Sequence, residues 1–100
     1  TQAMAQVVYS ENALANIEHA FEYLAKHDPS AAADAVEAIR SAVTALSSHP
    51  LIGRRIEGEL RELVISFGRT GYVALYRYLP VQDVVRVLAI RHQRELDYPI

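Results

Sequence analysis

The 100-residue chain contains no cysteine. That excludes a disulfide framework and a thiolate metal site. Nowhere do apolar residues run for the ~20 positions that a membrane-spanning helix needs. No charged-then-apolar leader precedes Val7, so no membrane partner and no secretory signal are expected, and a cytoplasmic setting follows. His19, His27 and His49 show no mutual ligand spacing, and no metal is expected. A glycine-rich phosphate loop, a nucleophile elbow and a helical His-Glu pair are all missing, so no cofactor is expected either. Lysine is nearly absent. Residues 1–53 hold six acids against Lys26 and Arg40, whereas residues 54–100 hold eight arginines against six acids. The second half is therefore mildly basic through arginine alone, whose fork suits carboxylate and phosphate. This falls short of a nucleic-acid binder's strongly basic footprint, and direct DNA binding is not expected.

With 51% hydrophobic residues, the chain suits one packed domain over residues 1–100. Val7-Val8-Tyr9 reads as a short strand. Ser10 caps a helix whose apolar stripe is Leu14, Ile17, Phe21 and Leu24. Asp28-Pro29 separates it from a second helix with the stripe Ala32, Val36, Ile39, Val43 and Leu46, which stops at Ser47-Ser48-His49-Pro50. The short link predicts an antiparallel helical hairpin. Leu51 to Gly58 reads as a loop. The period then changes to about two, predicting strands over Leu60–Phe67, Tyr72–Leu79 and Val84–Arg91, joined by turns at 68–71 and 80–83. The order β-α-α-β-β-β is an α+β arrangement, with the hairpin packed on one face of a small antiparallel-rich sheet.

Strict alternation gives that sheet two apolar faces. Tyr72, Ala74, Tyr76 and Tyr78 continue the helix-facing side. Val73, Leu75, Arg77 and Leu79 lie on the other, together with Leu60, Glu62, Val64 and Ser66. In the last strand, Val85, Val87, Ala89 and Arg91 would oppose Val84, Arg86, Leu88 and Ile90. Two helices cover about one face of such a sheet. Each aliphatic side chain left outside could contribute roughly 1.5–3 kcal/mol on full burial. The expectation is a protein partner over the second face, or a homodimer.

The order of elements, with "HPLIGRRIEGELRELVIS", "GYVALYRY" and "VVRVLAIRHQREL", resembles the RelE/ParE toxin superfamily of type II toxin–antitoxin modules. The likeness runs from Val7 to Tyr98. It rests most on Pro50 and Gly53 before Arg61-Glu62-Leu63, on Gly71-Tyr72 with Tyr76, and on Ile90, His92 and Arg94. The resemblance implies a toxin of a plasmid-stabilisation module, held silent by a cognate antitoxin that wraps its surface. In the RelE-like branch it implies cleavage of messenger RNA, and in the ParE-like branch inhibition of DNA gyrase by binding. The lysine pair of the nuclease members would fall at Val64 and Ser66, and their following arginine at Val73. Valine supplies neither a base nor a cation for the phosphate, so the ParE-like branch is expected and no catalytic set is favoured. A glutamate–arginine–histidine set at Glu62, Arg77 and His92 is the alternative for an endoribonuclease.

The residues expected to meet antitoxin or target are Arg61, Val64, Val73, Leu75, Arg77, Leu79, His92 and Arg94. For His92 and Arg94 the competing role is to anchor the chain end through backbone, Glu95 or Asp97. For Arg61 the competing role is an exposed ion pair with Glu59 or Glu62, worth little. Arg54 and Arg55 beside Gly53 suit anion contact, although such pairs are more often solvated.

Overall fold

The computed structural model describes residues 4–99. Its elements are β1 (Gln6–Tyr9), α1 (Glu11–Ala25), α2 (Pro29–Thr44), a 3-10 turn (Ala45–Ser47), β2 (Arg54–Glu57), β3 (Leu60–Phe67), β4 (Thr70–Leu79) and β5 (Val84–His92). The strands form one sheet in the order β1-β5-β4-β3-β2. β2 to β5 pair antiparallel, and β1 lies parallel to β5. The segment expected to be a loop over 51–58 thus contains an edge strand. Every β2 residue is exposed, which leaves no alternating apolar pattern to reveal it.

Both helix starts follow local rules. The Ser10 hydroxyl oxygen accepts from the Ala13 N–H, and the Asp28 carboxylate accepts from the Ala31 N–H ahead of Pro29 at the first turn. Ala13, Ile17, Ala20 and Leu24 of α1 and Ala35, Ile39 and Val43 of α2 pack on one sheet face against Ile65, Tyr72, Ala74, Tyr76, Val85 and Val87. The stripe expected on α2 is the buried one. On α1 it is rotated: Leu14 and Phe21 are exposed, and small Ala13 and Ala20 face the sheet. Alanine lets the helix approach closely, and this shifts the apolar pair to its flank.

Strict alternation fails in β5. Leu75 pairs with Ala89 and Tyr76 with Val87, so Leu88 is an extra residue in a bulge. An extra residue reverses the faces beyond it. Val85 and Val87 face the helices, but Ala89 and Arg91 turn to the opposite face, while Ile90 and His92 return to the helix side. β1 pairs with β5 only as far as Val87, and α1 takes over as partner from there. The Ser10 hydroxyl and the Asn12 amide donate to the Leu88 carbonyl, and Asn16 Oδ1 accepts from the Ile90 N–H at 2.9 Å. Asn16 is the one buried polar residue among those described. Asn16→Ala leaves that buried N–H unpaired, a loss of about 1–2 kcal/mol. Equilibrium urea unfolding checks it, with faster amide exchange at Ile90 as the local sign.

Candidate interaction face

The face away from the helices is built from alternate residues of all five strands. Cross-strand register sets its rows: Arg91–Val73–Val64, then Ala89–Leu75–Glu62–Arg54, then Val8–Arg86–Arg77–Leu60, then Gln6–Val84–Leu79. The expectation of a wholly uncovered apolar row is corrected in its upper half. Val73 is 4% exposed and Ala89 3%, whereas Val64 is 61% exposed. The chain's own end accounts for the difference. After β5 the chain turns back, and Tyr98 reaches Glu62 on β3 with its hydroxyl 2.6 Å from Oε2. The Arg91 guanidinium lies 5.1 Å from the Tyr98 ring centroid and 3.7 Å from Glu62. Arg91 and Glu62 flank β4, so their bridge crosses Val73 and Leu75. The Asn12 amide donates to the Pro99 carbonyl and holds the tail at the sheet edge.

Glu62 is the hub of this closure. Arg54 binds its other oxygen at 2.9 Å, and its side chain is 10% exposed. The Tyr98 hydrogen bond holds its carboxyl below the usual carboxylate range, with Arg54 and Arg91 adding to the effect against the opposing pull of burial. Burial, and then the Glu62 carboxylate, push the Tyr98 phenol far above its ordinary value. Arg91 also donates to the backbone carbonyl of Glu95 at 2.8 Å, which shapes the turn after β5.

The other sequence-selected residues take different places. Leu75 and Leu79 are half-buried and Arg77 is exposed on the open face. Arg61 makes no ion pair with Glu59 or Glu62. It donates to the Leu51 and Gly53 carbonyls, in concert with Tyr76, whose hydroxyl accepts from the Gly53 N–H and donates to the Pro50 carbonyl. Arg61 is therefore a strut for the 50–53 segment. A Cβ on Gly53 would lie 2.6 Å from the Tyr76 hydroxyl, so this contact requires glycine. Arg54 contacts Glu62, and Arg55 donates to the Gly58 carbonyl.

His92 is on the helix side, edge-on to Tyr72 with centroids 5.5 Å apart. Its Nδ1 accepts from the Arg94 N–H, so Nε2 carries the hydrogen toward the Thr70 hydroxyl at 3.1 Å. Both ring nitrogens are thus engaged in anchoring the chain end. Arg94 is exposed and lines, with His19, Tyr23 and His92, a groove of about 660 Å³ between α1 and the end of β5. The set Glu62, Arg77 and His92 does not converge: Glu62 and Arg77 are on the open face, and His92 is on the other. Among the described residues no cluster of three His, Asp or Glu side chains could hold a metal, and no helix is long and apolar enough to cross a membrane.

Tyr98, Asn12 and Asn16 are functional positions that the sequence patterns above do not single out. Tyr98 lies beyond the last periodic segment and carries no pattern. The two asparagines did carry a signal, because asparagine inside a helix competes for backbone bonds and calls for a partner.

Solved structures share this architecture. The chromosomal ParDE toxin–antitoxin system of P. aeruginosa contains a chain that superposes with a TM-score of 0.72 at 20% identity, over 89% of this chain and 96% of that one. The toxin–antitoxin complex RelBE2 of Mycobacterium tuberculosis gives 0.61 at 23% identity, over 89% and 98%. The fold is that of the RelE/ParE toxins. A family model described as "ParE toxin of type II toxin-antitoxin system, parDE" matches residues 7–97, and the chain belongs to that family, within the RelE/ParE superfamily. Two Caulobacter vibrioides proteins are similar in sequence. Toxin RelE3 is 42% identical over 73 residues, covering 73% of this chain and 77% of that protein. Toxin RelE2 is 33% identical over 93 residues, covering 93% of this chain and all of that protein. The chain is a toxin of the type II toxin–antitoxin class.

Proposed function

We propose that this toxin acts by binding a protein target, DNA gyrase, in the cytoplasm, and that a cognate antitoxin silences it by docking on the open face around Val64, Leu75, Arg77 and Leu79. The separation of Glu62 from His92 carries this reading. Cleavage of RNA through the ribose 2′-hydroxyl needs a base and phosphate-binding cations converging on one point. Here the sheet stands between the carboxylate and the imidazole, and each is held by bonds within the chain. The positions that would carry a cationic pair hold exposed Val64 and Ser66.

Two assays test target choice. Purified toxin should inhibit supercoiling by gyrase and leave transcripts intact when expressed without antitoxin. Rapid transcript cleavage with unimpaired supercoiling would replace this reading with the endoribonuclease one, which the RelE names of the Caulobacter relatives favour. For antitoxin docking, Leu75→Asp should weaken binding about tenfold or more by placing an unpaired charge in an apolar contact. Calorimetric titration measures it. Val73→Asp is no substitute, because Val73 is already buried by the tail and its variant would report folding.

A further inference from the structure

Arg77 and Arg86 are direct cross-strand partners on β4 and β5. Both are exposed and both project from the open face. Like charges placed directly opposite in a sheet are destabilising. Elsewhere on this face the chain neutralises its arginines: Arg54 and Arg91 share Glu62. Among the described residues no carboxylate lies within ion-pair distance of Arg77 or Arg86; the ion pairs formed are the two at Glu62. The pair also sits in an aliphatic frame. Val8 and Leu60 continue its row, with Leu75 and Ala89 on one side and Leu79 and Val84 on the other. Two cations side by side in such a frame lack a counter-charge that the protomer does not supply.

From this geometry we infer that Arg77 and Arg86 form a two-pronged carboxylate receptor for an acidic, amphipathic helical segment of the antitoxin. The inference rests on the docking face proposed above and adds the chemistry of its occupant. Directly opposed residues in an antiparallel pair have Cα atoms about 4.5–5.5 Å apart. Acidic side chains at i and i+4 on a helix are about 5–6 Å apart at Cβ, so one helical face presents two carboxylates at about the spacing of the backbone positions that carry the two arginines. Aliphatic residues beside those carboxylates would meet Leu75 and Leu79. The face favours a protein segment over RNA. The frame is aliphatic: Tyr72 and Tyr76, which could stack on bases, are buried on the opposite face, and the Tyr98 ring on this face is already engaged by Arg91 and Glu62. The net charge of −2 also disfavours a polyanion as long as a transcript.

The test uses the whole toxin, the antitoxin encoded beside it, and a 20-nucleotide oligouridylate as RNA probe. Arg77→Gln and Arg86→Gln should each weaken antitoxin binding about tenfold, as expected for loss of one charge-assisted contact. Each should also flatten the salt dependence of binding. Arg69→Gln, in the exposed turn before β4, should leave affinity unchanged. The free Arg77→Gln and Arg86→Gln toxins should melt at the native temperature or about 2 °C higher, because a repulsion has been removed. If both arginine variants bind antitoxin like the native toxin while Leu75→Asp does not, the carboxylate receptor is refuted and the docking face stands. If Leu75→Asp also binds normally, the docking face falls and this inference with it. Equal weakening by Arg69→Gln, or loss of oligouridylate binding with antitoxin affinity intact, would equally overturn it.

Discussion

Gly71→Ala should destabilise the toxin by about 3 kcal/mol or more, enough to abolish much of the margin of a domain this size. Gly71 is buried at the start of β4 and pairs with Ser66 on β3. A Cβ there would collide with the Ile65 carbonyl oxygen and press on the Ile65 carbonyl carbon and Ser66 Cα. All three neighbours are backbone, so no side-chain rotation relieves the overlap. Relief requires prising β3 from β4 at the turn that sets their register. The Gly71 carbonyl also accepts from the Gln93 N–H at 2.9 Å, so the same shift disturbs the turn that directs the tail. Urea denaturation should show a lowered midpoint with an unchanged slope. A midpoint equal to the native one would mean that the strands do not approach this closely.

Glu62→Ala should release the C-terminal tail and destabilise the fold by about 2–3 kcal/mol, within the range for hydrogen bonds to a charged group. The Tyr98 hydroxyl and Arg91 lose their acceptor together, and the cover over Val73 opens. Tyr98→Phe removes one hydrogen bond and should cost about 1 kcal/mol. In both variants trypsin should cut sooner after Arg94, and amide exchange across 93–99 should accelerate. The pH dependence has two arms. The docked state lowers the Glu62 pKa, so its contribution is complete above the ordinary glutamate value of about 4.3 and is lost as pH falls through the lower docked value. The docked state raises the Tyr98 pKa, so that contribution is complete below the ordinary phenol value of about 10 and declines as pH rises above it. Tail protection should therefore form a plateau between those limits, followed by hydrogen exchange. In Glu62→Ala the acid arm should vanish. An acid arm that persisted there would assign the transition to another group.

The helices, four of the five strands and the helix-facing tyrosines were legible because each rule involved is local. Ser10 and Asp28-Pro29 mark helix starts within a turn of themselves. The change of period after Gly58 separates helix from strand within a few residues. Tyr72, Ala74 and Tyr76 face the core as alternation requires. The candidate face was legible only in part. Leu75, Arg77 and Val64 occupy it as expected, whereas His92 crossed to the other side because one extra residue at Leu88 reverses every side chain after it. No composition or period announces a bulge whose cause is distant: the Leu88 carbonyl and the Ile90 N–H find partners on α1, more than 70 residues earlier in the chain.

The same division explains the covered row. Alternation alone specifies that Val73 and Leu75 share a face, because neighbouring side chains on a strand must point opposite ways. Whether that face meets water depends on Tyr98 reaching Glu62 on β3, beside Arg91 and with the tail held by Asn12. Those contacts join residues far apart in the chain, so their energies appear only once the sheet exists. Local rules therefore specified the helices, most strands and the toxin-like order of elements. Tertiary packing decided which part of the second face stays open, because burial belongs to the assembled surface and to no single stretch of residues.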